Sequence, residues 1–531
     1  MMSEMANGWA SSEDEYETEV LLFDRKKSRK VRHKLTELNT NHVYSADEGD
    51  MAHVPLMLNR TDSLEGIDIK ECGEDVYSVS DAVDHIGFGW FQIKIMLLLG
   101  YFSAADSLEM MLLSILAPTI RCIFRISAWK EAWITTVVFI GMMVGSSTWG
   151  WIADNFGRKF VIVLVSIWIA YFGLLSAFSP HYYWIIVLRM VVGLGIGGAP
   201  QSATLMSEFL PSKYRAMCMC IQSPWWTLGS LFTICVAMLV MPVYGWRYLL
   251  ALLSLPMFLF LLLSPFLPES CRFQLASGDR DKALATLHRM ARANKATLPT
   301  GFLKDANQNA KRGRILDLLK PELRRTTLML WFLWFNVAFT YYGVVLMTSE
   351  LFQSDSAGGG KCEAGSGSVK DPHCGCKLLT TKDYTDMMWT TLAEIPIVLV
   401  NIVLLERLGR RRTLALLYGL TATFYMLLFI CTKREWMVAF IFGARGCISG
   451  VFTAIYIYTP EYYPTVVRGL GLGTCSAVAR IGAMITPFIC QVLLRASVDF
   501  ALGVYAATGL SCVVIALCLP IETKGRLMRD T

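Results

Sequence analysis

The sequence predicts an all-α membrane protein with twelve transmembrane helices in two six-helix halves. Three observations carry this expectation: a composition poor in charge, long apolar runs spaced by short polar connections, and an internal repeat at a nearly fixed offset. Of 531 residues, 54% are hydrophobic and 17% charged, where a soluble chain of this size carries about 25% charged residues. Mean hydropathy is +0.44. The formal net charge of +6 conceals the useful fact, which is that the charges gather in tails and loops. The first 30 residues are polar, so a secretory signal peptide is not expected, and the first hydrophobic helix must itself direct the chain to a membrane.

A helix needs about 20 apolar residues to cross the hydrocarbon core. Runs bounded by charge, Pro or Gly place spans at 93–119, 132–152, 160–178, 182–206, 220–241, 247–267, 327–348, 384–405, 412–432, 436–458, 470–494 and 499–520. The expected organisation is a mostly disordered cytoplasmic tail at 1–90, a first half at 91–267 and a cytoplasmic central loop at 268–326. A second half at 327–520, with a luminal loop at 349–383, and a cytoplasmic C-tail at 521–531 complete it. One such run alone would suit a buried soluble helix; twelve with connections this short do not.

Lys and Arg set orientation. Arg25, Lys26, Lys27, Arg29, Lys30, Arg32 and Lys34 fall on one side with Arg158, Lys159, Lys213, Arg215, Arg407, Arg410, Arg411 and Arg412, and the central loop adds 13 more basic residues. The opposite side holds a few, such as Lys130, Lys361 and Lys433. The basic side is expected to be cytoplasmic.

The repeat is the most specific signal. Gly150-x-x-Ala153-Asp154-x-x-Gly157-Arg158-Lys159 follows span two, and Glu406-Arg407-Leu408-Gly409-Arg410-Arg411-Arg412 follows span eight; Asp154 to Glu406, Gly157 to Gly409 and Arg158 to Arg410 are each 252 apart. Glu208-x-x-Pro211-x-x-x-Arg215 after span four returns as Glu461-x-x-Pro464-x-x-x-Arg468 after span ten, with Glu208 and Glu461 separated by 253. Pro268 and Pro520 close spans six and twelve at an offset of 252. Motif pairs at one offset, each at the same end of the helices, imply two parallel six-helix units.

These loops, with Arg189, Arg445, Pro268-Glu269-Ser270-x-Arg272 and Glu522-Thr523-Lys524-Gly525, resemble the sugar-porter branch of the major facilitator superfamily. Finer features resemble the synaptic vesicle 2-related proteins: Ala82-Val83-Asp84-His85-Ile86-Gly87-Phe88-Gly89, Asp106-x-x-Glu109-Met110-Met111, Gly197-Gly198-Ala199-Pro200-Gln201-Ser202, Tyr458-Thr459-Pro460-Glu461 and Arg480-Ile481-Gly482. The likeness covers about 75–526. It implies a major facilitator fold, a secondary active transporter rather than an enzyme, and a synaptic or secretory vesicle membrane, with the plasma membrane as a second location.

Acids at cytoplasmic helix ends can pair with Arg and with helix N-termini across the seam between the halves. The gating candidates are Asp154, Arg158, Glu208, Arg215, Glu406, Arg410, Glu461 and Arg468. The competing reading makes them interfacial anchors. Gly193-x-Gly195-x-x-Gly198 matches a dinucleotide fingerprint, but it lies inside an apolar span with no strand before it, and small residues there let helices approach closely.

An ionisable residue inside a span costs roughly 2.5–3.5 kcal/mol on insertion scales, which makes each one a functional candidate. Asp106 and Glu109 lie three apart on one face of span one; Arg189, Glu394, Arg445 and Arg480 lie in spans four, eight, ten and eleven. In proton-coupled sugar porters an acid at the place of Asp106 faces an Arg at the place of Arg189. The resemblance therefore implies Asp106, Glu109 and Arg189 as the proton-coupling group, against static pairing or direct substrate contact. Arg480 has Glu394 as its candidate partner. If they pair the site is neutral, and if they do not an anionic substrate is favoured. Substrate-binding candidates are Trp225, Trp226, Trp331, Trp334, Asn336, Tyr341, Glu394, Tyr456 and Arg480, since few polar groups among aromatics suit a small organic solute. Each aromatic is equally well a space-filler.

Of fifteen Cys, Cys122, Cys362, Cys374 and Cys376 lie on the outer side, where disulfides are favoured over a zinc site with His373. No metal or cofactor is expected. Asn59-Arg60-Thr61 is a sequon on the cytoplasmic side, where it stays unused. Glu17, Leu21 and Leu22 form an acid-x-x-x-Leu-Leu pattern of the kind sorting adaptors read. The expected partners are a small-molecule substrate and the lipid bilayer, with no nucleic acid, for a monomer. The alternative function is a non-transporting scaffold or receptor that keeps the fold. An ATP-driven pump fails for want of a Walker loop.

Epitope tags or protease sites at both termini and within 268–326 should report the cytoplasm, and sites within 349–383 the opposite side. Finding 268–326 and the N-terminus on opposite sides would break the twelve-span reading.

Overall fold

A computed structural model describes residues 76–304, 315–353, 379–430 and 433–524. Twelve membrane-length helical spans run through it: span one Trp90–Phe124, two Ala128–Phe156, three Arg158–Ser176, four Tyr182–Phe209, five Arg215–Val240 and six Trp246–Leu263. Span seven is Pro321–Gln353, eight Thr381–Arg407, nine Arg410–Leu427, ten Arg434–Tyr462, eleven Thr465–Ala496 and twelve Val498–Cys518. Eleven of them are apolar over a full crossing length. Span nine differs because its first three residues are Arg410, Arg411 and Arg412, so the apolar run begins inside the helix.

Several spans are broken where their sequence dictates. Span four stops at Ile196 and restarts at Pro200, since proline lacks the amide proton an uninterrupted helix needs and favours the first helical turn. Span eight is interrupted at Ala393, immediately before Glu394. Span eleven passes into a π-helical stretch at Phe488–Leu493 just after Pro487. Such stretches often mark functional sites.

Within the first half, spans one and five, two and four, and three and six pack together; spans seven and eleven, and nine and twelve, do the same in the second. Across the seam, span two packs on span eleven and span five on span eight, while spans one and seven touch in the middle. The pairs two–eleven and eight–five exchange under the repeat, so the seam is pseudo-symmetric.

The glycine run of span four is a packing surface. A Cβ on Gly193 would lie 2.2 Å from the Val138 carbonyl oxygen, and one on Gly145 of span two 2.1 Å from that of Leu194. Backbones this close leave no room for any side chain.

Two elements at the basic end lie outside the hydropathy outline. The folded part of the tail begins before residue 90: Val76–Tyr77 pairs in parallel with Phe302–Leu303, and Val79–Ile86 is helical. Ser78 and Asp81 form a capping box, and the Ser78 hydrogen bonds hold the Asp81 carboxyl below its usual range. Asp84 then accepts from Ser212 N and Oγ at 2.6 and 2.8 Å, and Arg272 donates to Ser80 Oγ at 3.1 Å. The central polar loop is also partly helical, with Cys271–Ala276, Arg280–Ala293 and Ile315–Leu318. A hydropathy reading misses these short elements because their apolar faces cover the end of the bundle instead of facing lipid.

Gly193→Leu should lower the melting temperature of detergent-purified protein, because overpacking a tight helix contact costs about 1–3 kcal/mol. Gly150→Leu is the control, since a Cβ there meets nothing within 4 Å. Equal melting of the two variants would show that the glycine run is not a packing surface.

Candidate functional site

The residues that matter lie on the seam, where bilayer-embedded charge has to be neutralised. Arg189 is fully buried in span four and donates to Glu109 Oε2 at 2.7 Å. Gly173 of span three makes room for this pair, with Glu109 Oε1 3.1 Å from where a Cβ would stand. The sequence expectation that Arg189 faces Asp106 is corrected: the guanidinium belongs to Glu109. One helical turn separates the two acids, and only Glu109 is aligned with span four. Asp106 is 4% exposed, its Oδ1 has no hydrogen-bond partner, and its charge interacts with Glu109 and with Arg480 of span eleven.

The second half has its own pair. Arg445 of span ten donates through Nε to Glu394 Oε1 at 2.8 Å, both nearly fully buried. Glu394 also accepts from Tyr341 OH at 3.2 Å and, across the seam, from Thr227 Oγ1 of span five at 3.0 Å. Trp226 Nε1 donates to Tyr341 OH at 2.9 Å. Glu394 is therefore held by Arg445, and the expected partnership with Arg480 is not formed. Arg480 points Nη1 at Met142 Sδ of span two, 3.6 Å away, and its charge lies beside the hydroxyls of Tyr342 and Tyr456.

The other binding candidates divide. Tyr456 is 39% exposed although it lies well inside span ten, stacks edge-on against Trp334 at 4.6 Å and faces Arg480. Trp334 is fully buried and donates to Thr459 at 2.9 Å, so it is core. Trp331 donates to Thr474 at 3.3 Å, a link between spans seven and eleven. Trp225 packs on Gly100 of span one, inside its own half. Asn336 is buried and its Nδ2 has no partner, while its Oδ1 accepts from Thr340 at 3.3 Å.

The charged loops form two matching clusters, each closed within its own half. In the first, Glu208 Oε1 lies 3.6 Å from Arg158 Nε and Glu208 Oε2 accepts a hydrogen bond from Ser270 Oγ, while Glu269 Oε1 caps the amides of Arg158 and Lys159 at 3.0 and 3.2 Å. In the second, Glu461 takes two bonds from Arg410 at 2.9 and 3.0 Å and one from Thr523 at 2.6 Å, and Glu522 caps the amides of Arg410 and Arg411 at 2.7 and 3.0 Å. Neither Asp154 nor Glu406 forms the expected pair across the seam among the described residues. Asp154 is 3.7 Å from Arg158 and 54% exposed, and Glu406 is exposed with no ion pair among the described residues. The Arg158 and Arg410 side chains meet Glu208 and Glu461 of their own half, while Glu269 and Glu522 sit at the N-termini of spans three and nine, where carboxylates are stabilised. Arg215 and Arg468 donate to the carbonyls of Leu210 and Tyr463.

The halves are locked at the opposite end. Arg495, which closes span eleven, donates to Glu350 of span seven at 2.6 Å and to Glu131 of span two at 3.2 Å. Arg121 stands 3.7 Å from Glu131. Trp129 and Trp133 of span two pack on Phe488 at 5.2 and 5.7 Å. The sequence reading missed this cluster, since single charges at span ends look like interfacial anchors. Cys122, one of the four outer cysteines, is disulfide-bonded; Cys362, Cys374 and Cys376 lie outside the described residues, as do Glu17, Leu21 and Leu22.

Twelve spans in two repeated halves, with buried charge along the seam, define a membrane transporter of the major facilitator type. Residues 95–358 match the family described as Sugar (and other) transporter, and residues 387–528 the Major Facilitator Superfamily. Synaptic vesicle 2-related protein of Xenopus laevis is 48% identical over 86% of this chain and 83% of its own. Putative transporter SVOPL of Homo sapiens is 40% identical over 86% and 93%. Among solved structures, the inward open xylose transporter XylE from E. coli superposes with a TM-score of 0.63 at 14% identity, covering 82% of this chain and 98% of that one. The proton:xylose symporter XylE bound to 6-bromo-6-deoxy-D-glucose gives 0.59 at 15%, covering 83% and 98%. The chain belongs to the sugar-porter-like branch of the major facilitator superfamily, with the synaptic vesicle 2-related proteins.

Arg495→Ala should loosen the lock, because it leaves Glu131 and Glu350 buried without their shared cation, a loss of about 3–5 kcal/mol. Cysteines placed at Trp133 and Phe488 should cross-link in an otherwise unchanged chain and lose most of that cross-linking with Arg495→Ala. Undiminished cross-linking would rule the lock out.

Proposed function

We propose that this protein is a proton-linked secondary active transporter of a small organic solute, working as a monomer in an intracellular vesicle membrane. The observation that carries the reading is Asp106: a carboxyl buried at the seam, one oxygen unpartnered, beside a closed Glu109–Arg189 pair. A buried carboxylate without donors is costly, and taking up a proton removes that cost. Asp106 is therefore the proton carrier. Glu109 has a different role from the one the resemblance suggested: it neutralises Arg189 and ties span one to span four. Glu394, with Arg445 in its own half and Thr227 in the other, links carrier movement to the seam.

Alternating access follows from where the contacts sit. The loop clusters are internal to each half and move with it as rigid pieces, whereas Arg495–Glu131 and Thr227–Glu394 span the halves and have to break and re-form. The basic end is taken as cytoplasmic and the Arg495 end as luminal. The acid-x-x-x-Leu-Leu motif at Glu17, Leu21 and Leu22 suits an adaptor that sorts the protein to vesicles, as the names of its relatives suggest. A scaffold that only kept the fold would gain nothing from an unpaired buried acid, which favours transport over that alternative.

A thermal-shift screen of purified protein against organic anions, organic cations, nucleotides and sugars supplies the substrate. In proteoliposomes Asp106→Asn should then bind and exchange it, yet lose pH-driven accumulation. Glu109→Gln should instead lower stability by about 3–5 kcal/mol, since it strands Arg189. Accumulation by Asp106→Asn with the parent's pH dependence would remove Asp106 as the carrier.

A further inference from the structure

Six ionisable side chains lie inside the spans: Asp106, Glu109, Arg189, Glu394, Arg445 and Arg480. Two pairs are closed, Glu109–Arg189 at 2.7 Å and Glu394–Arg445 at 2.8 Å. The remaining two, Asp106 and Arg480, feel each other's charge but form no ion pair. Asp106 Oδ1 has no donor. Around the Arg480 guanidinium stand the Met142 thioether and the hydroxyls of Tyr342 and Tyr456. Arg480 is half-buried and Tyr456 beside it is open.

We infer that Arg480, with Tyr342 and Tyr456, is the binding site for the anionic group of the substrate, and that this anion enters together with one proton taken by Asp106. The inference rests on the transport reading and names its substrate class: small aromatic or apolar carboxylates and related organic monoanions. The physical reason is charge balance. Without substrate, ionised Asp106 offsets Arg480 and the six groups sum to zero. A proton on an Asp106 carboxylate oxygen leaves Arg480 uncompensated, a state that is costly inside a bilayer. An anion on Arg480 restores neutrality through charge-assisted bonds from a planar guanidinium, the donor best matched to carboxylate. Both the loaded and the empty carrier are then neutral, so neither half of the cycle drags net charge through the low-dielectric core. Met142 and the ring of Phe139, which packs on Tyr342 at 4.7 Å, back this site with apolar side chains. A cation has no comparable place, because the two other acids are already bound to arginine.

The test uses the full-length purified protein in nanodiscs, with benzoate and phenylacetate as probes and benzamide and benzylamine as their neutral and cationic counterparts. Benzoate or phenylacetate should raise the melting temperature, and benzamide and benzylamine should not. The apparent affinity should weaken toward about tenfold per pH unit as pH rises, the signature of one linked proton. Arg480→Met should weaken carboxylate binding by on the order of tenfold or more, the loss of charge-assisted hydrogen bonds, and Arg480→Lys should recover part of it. Asp106→Asn should keep carboxylate binding and flatten its pH dependence, which a merely structural Arg480 would not explain. Stabilisation by benzylamine or benzamide that survives Arg480→Met overturns the inference. So does a carboxylate shift indifferent to Arg480→Met, or the absence of a shift with either carboxylate. These outcomes leave proton-linked transport standing, to be judged by the Asp106→Asn flux assay; unchanged pH-driven accumulation by Asp106→Asn with intact Arg480-dependent binding would do the reverse.

Discussion

A bilayer does not solvate charge, and the whole interior of this protein is arranged around that constraint. Arg189 and Arg445 are among its largest fully buried side chains, and neither would be tolerated there alone. Glu109 and Glu394 neutralise them at hydrogen-bonding distance. Each pair joins two helices of its half: span one to span four, and span eight to span ten. The alignment of the helices along the seam follows from these two bonds. So does the position of Asp106, which lies one turn away from a carboxylate already committed.

The halves repeat in their loops but not in their centres. At the basic end, Arg158 with Glu208 and Glu269 reappears as Arg410 with Glu461 and Glu522, down to the hydroxyl of Ser270 or Thr523 on the glutamate. Such clusters stiffen a half without tying it to the other one, as a rocking carrier requires. In the middle the symmetry fails. Glu394 reaches over to Thr227 of span five, and Arg480 of span eleven has no closed counterpart in the first half. The proposed site sits where the repeat has diverged.

At the other end a single guanidinium holds the halves together. Arg495 binds one acid from each, and it follows directly on the π-helical stretch that carries Phe488 against Trp129 and Trp133. π-helical turns of this kind are found frequently at functional sites.

Much of this was legible from the chain. Hydropathy located all twelve spans, because the lipid requirement acts on about 20 consecutive residues and leaves a long signal. The constant offset between loop motifs revealed two parallel halves, and the glycines of span four were correctly placed in helix packing. The acids and arginines at the seam were visible as exceptions within apolar runs. Their partners were not. Sequence spacing says that Asp106 and Glu109 share a face, but only the rotation and depth of span one against span four decide that Glu109 receives Arg189. In the same way Glu394 was expected to meet Arg480, and the packing of span ten on span eight gave it Arg445. The lock of Glu131, Glu350 and Arg495 joins residues more than a hundred positions apart on three helices. No local pattern encodes it, since a charge at a span end costs little until another helix covers it.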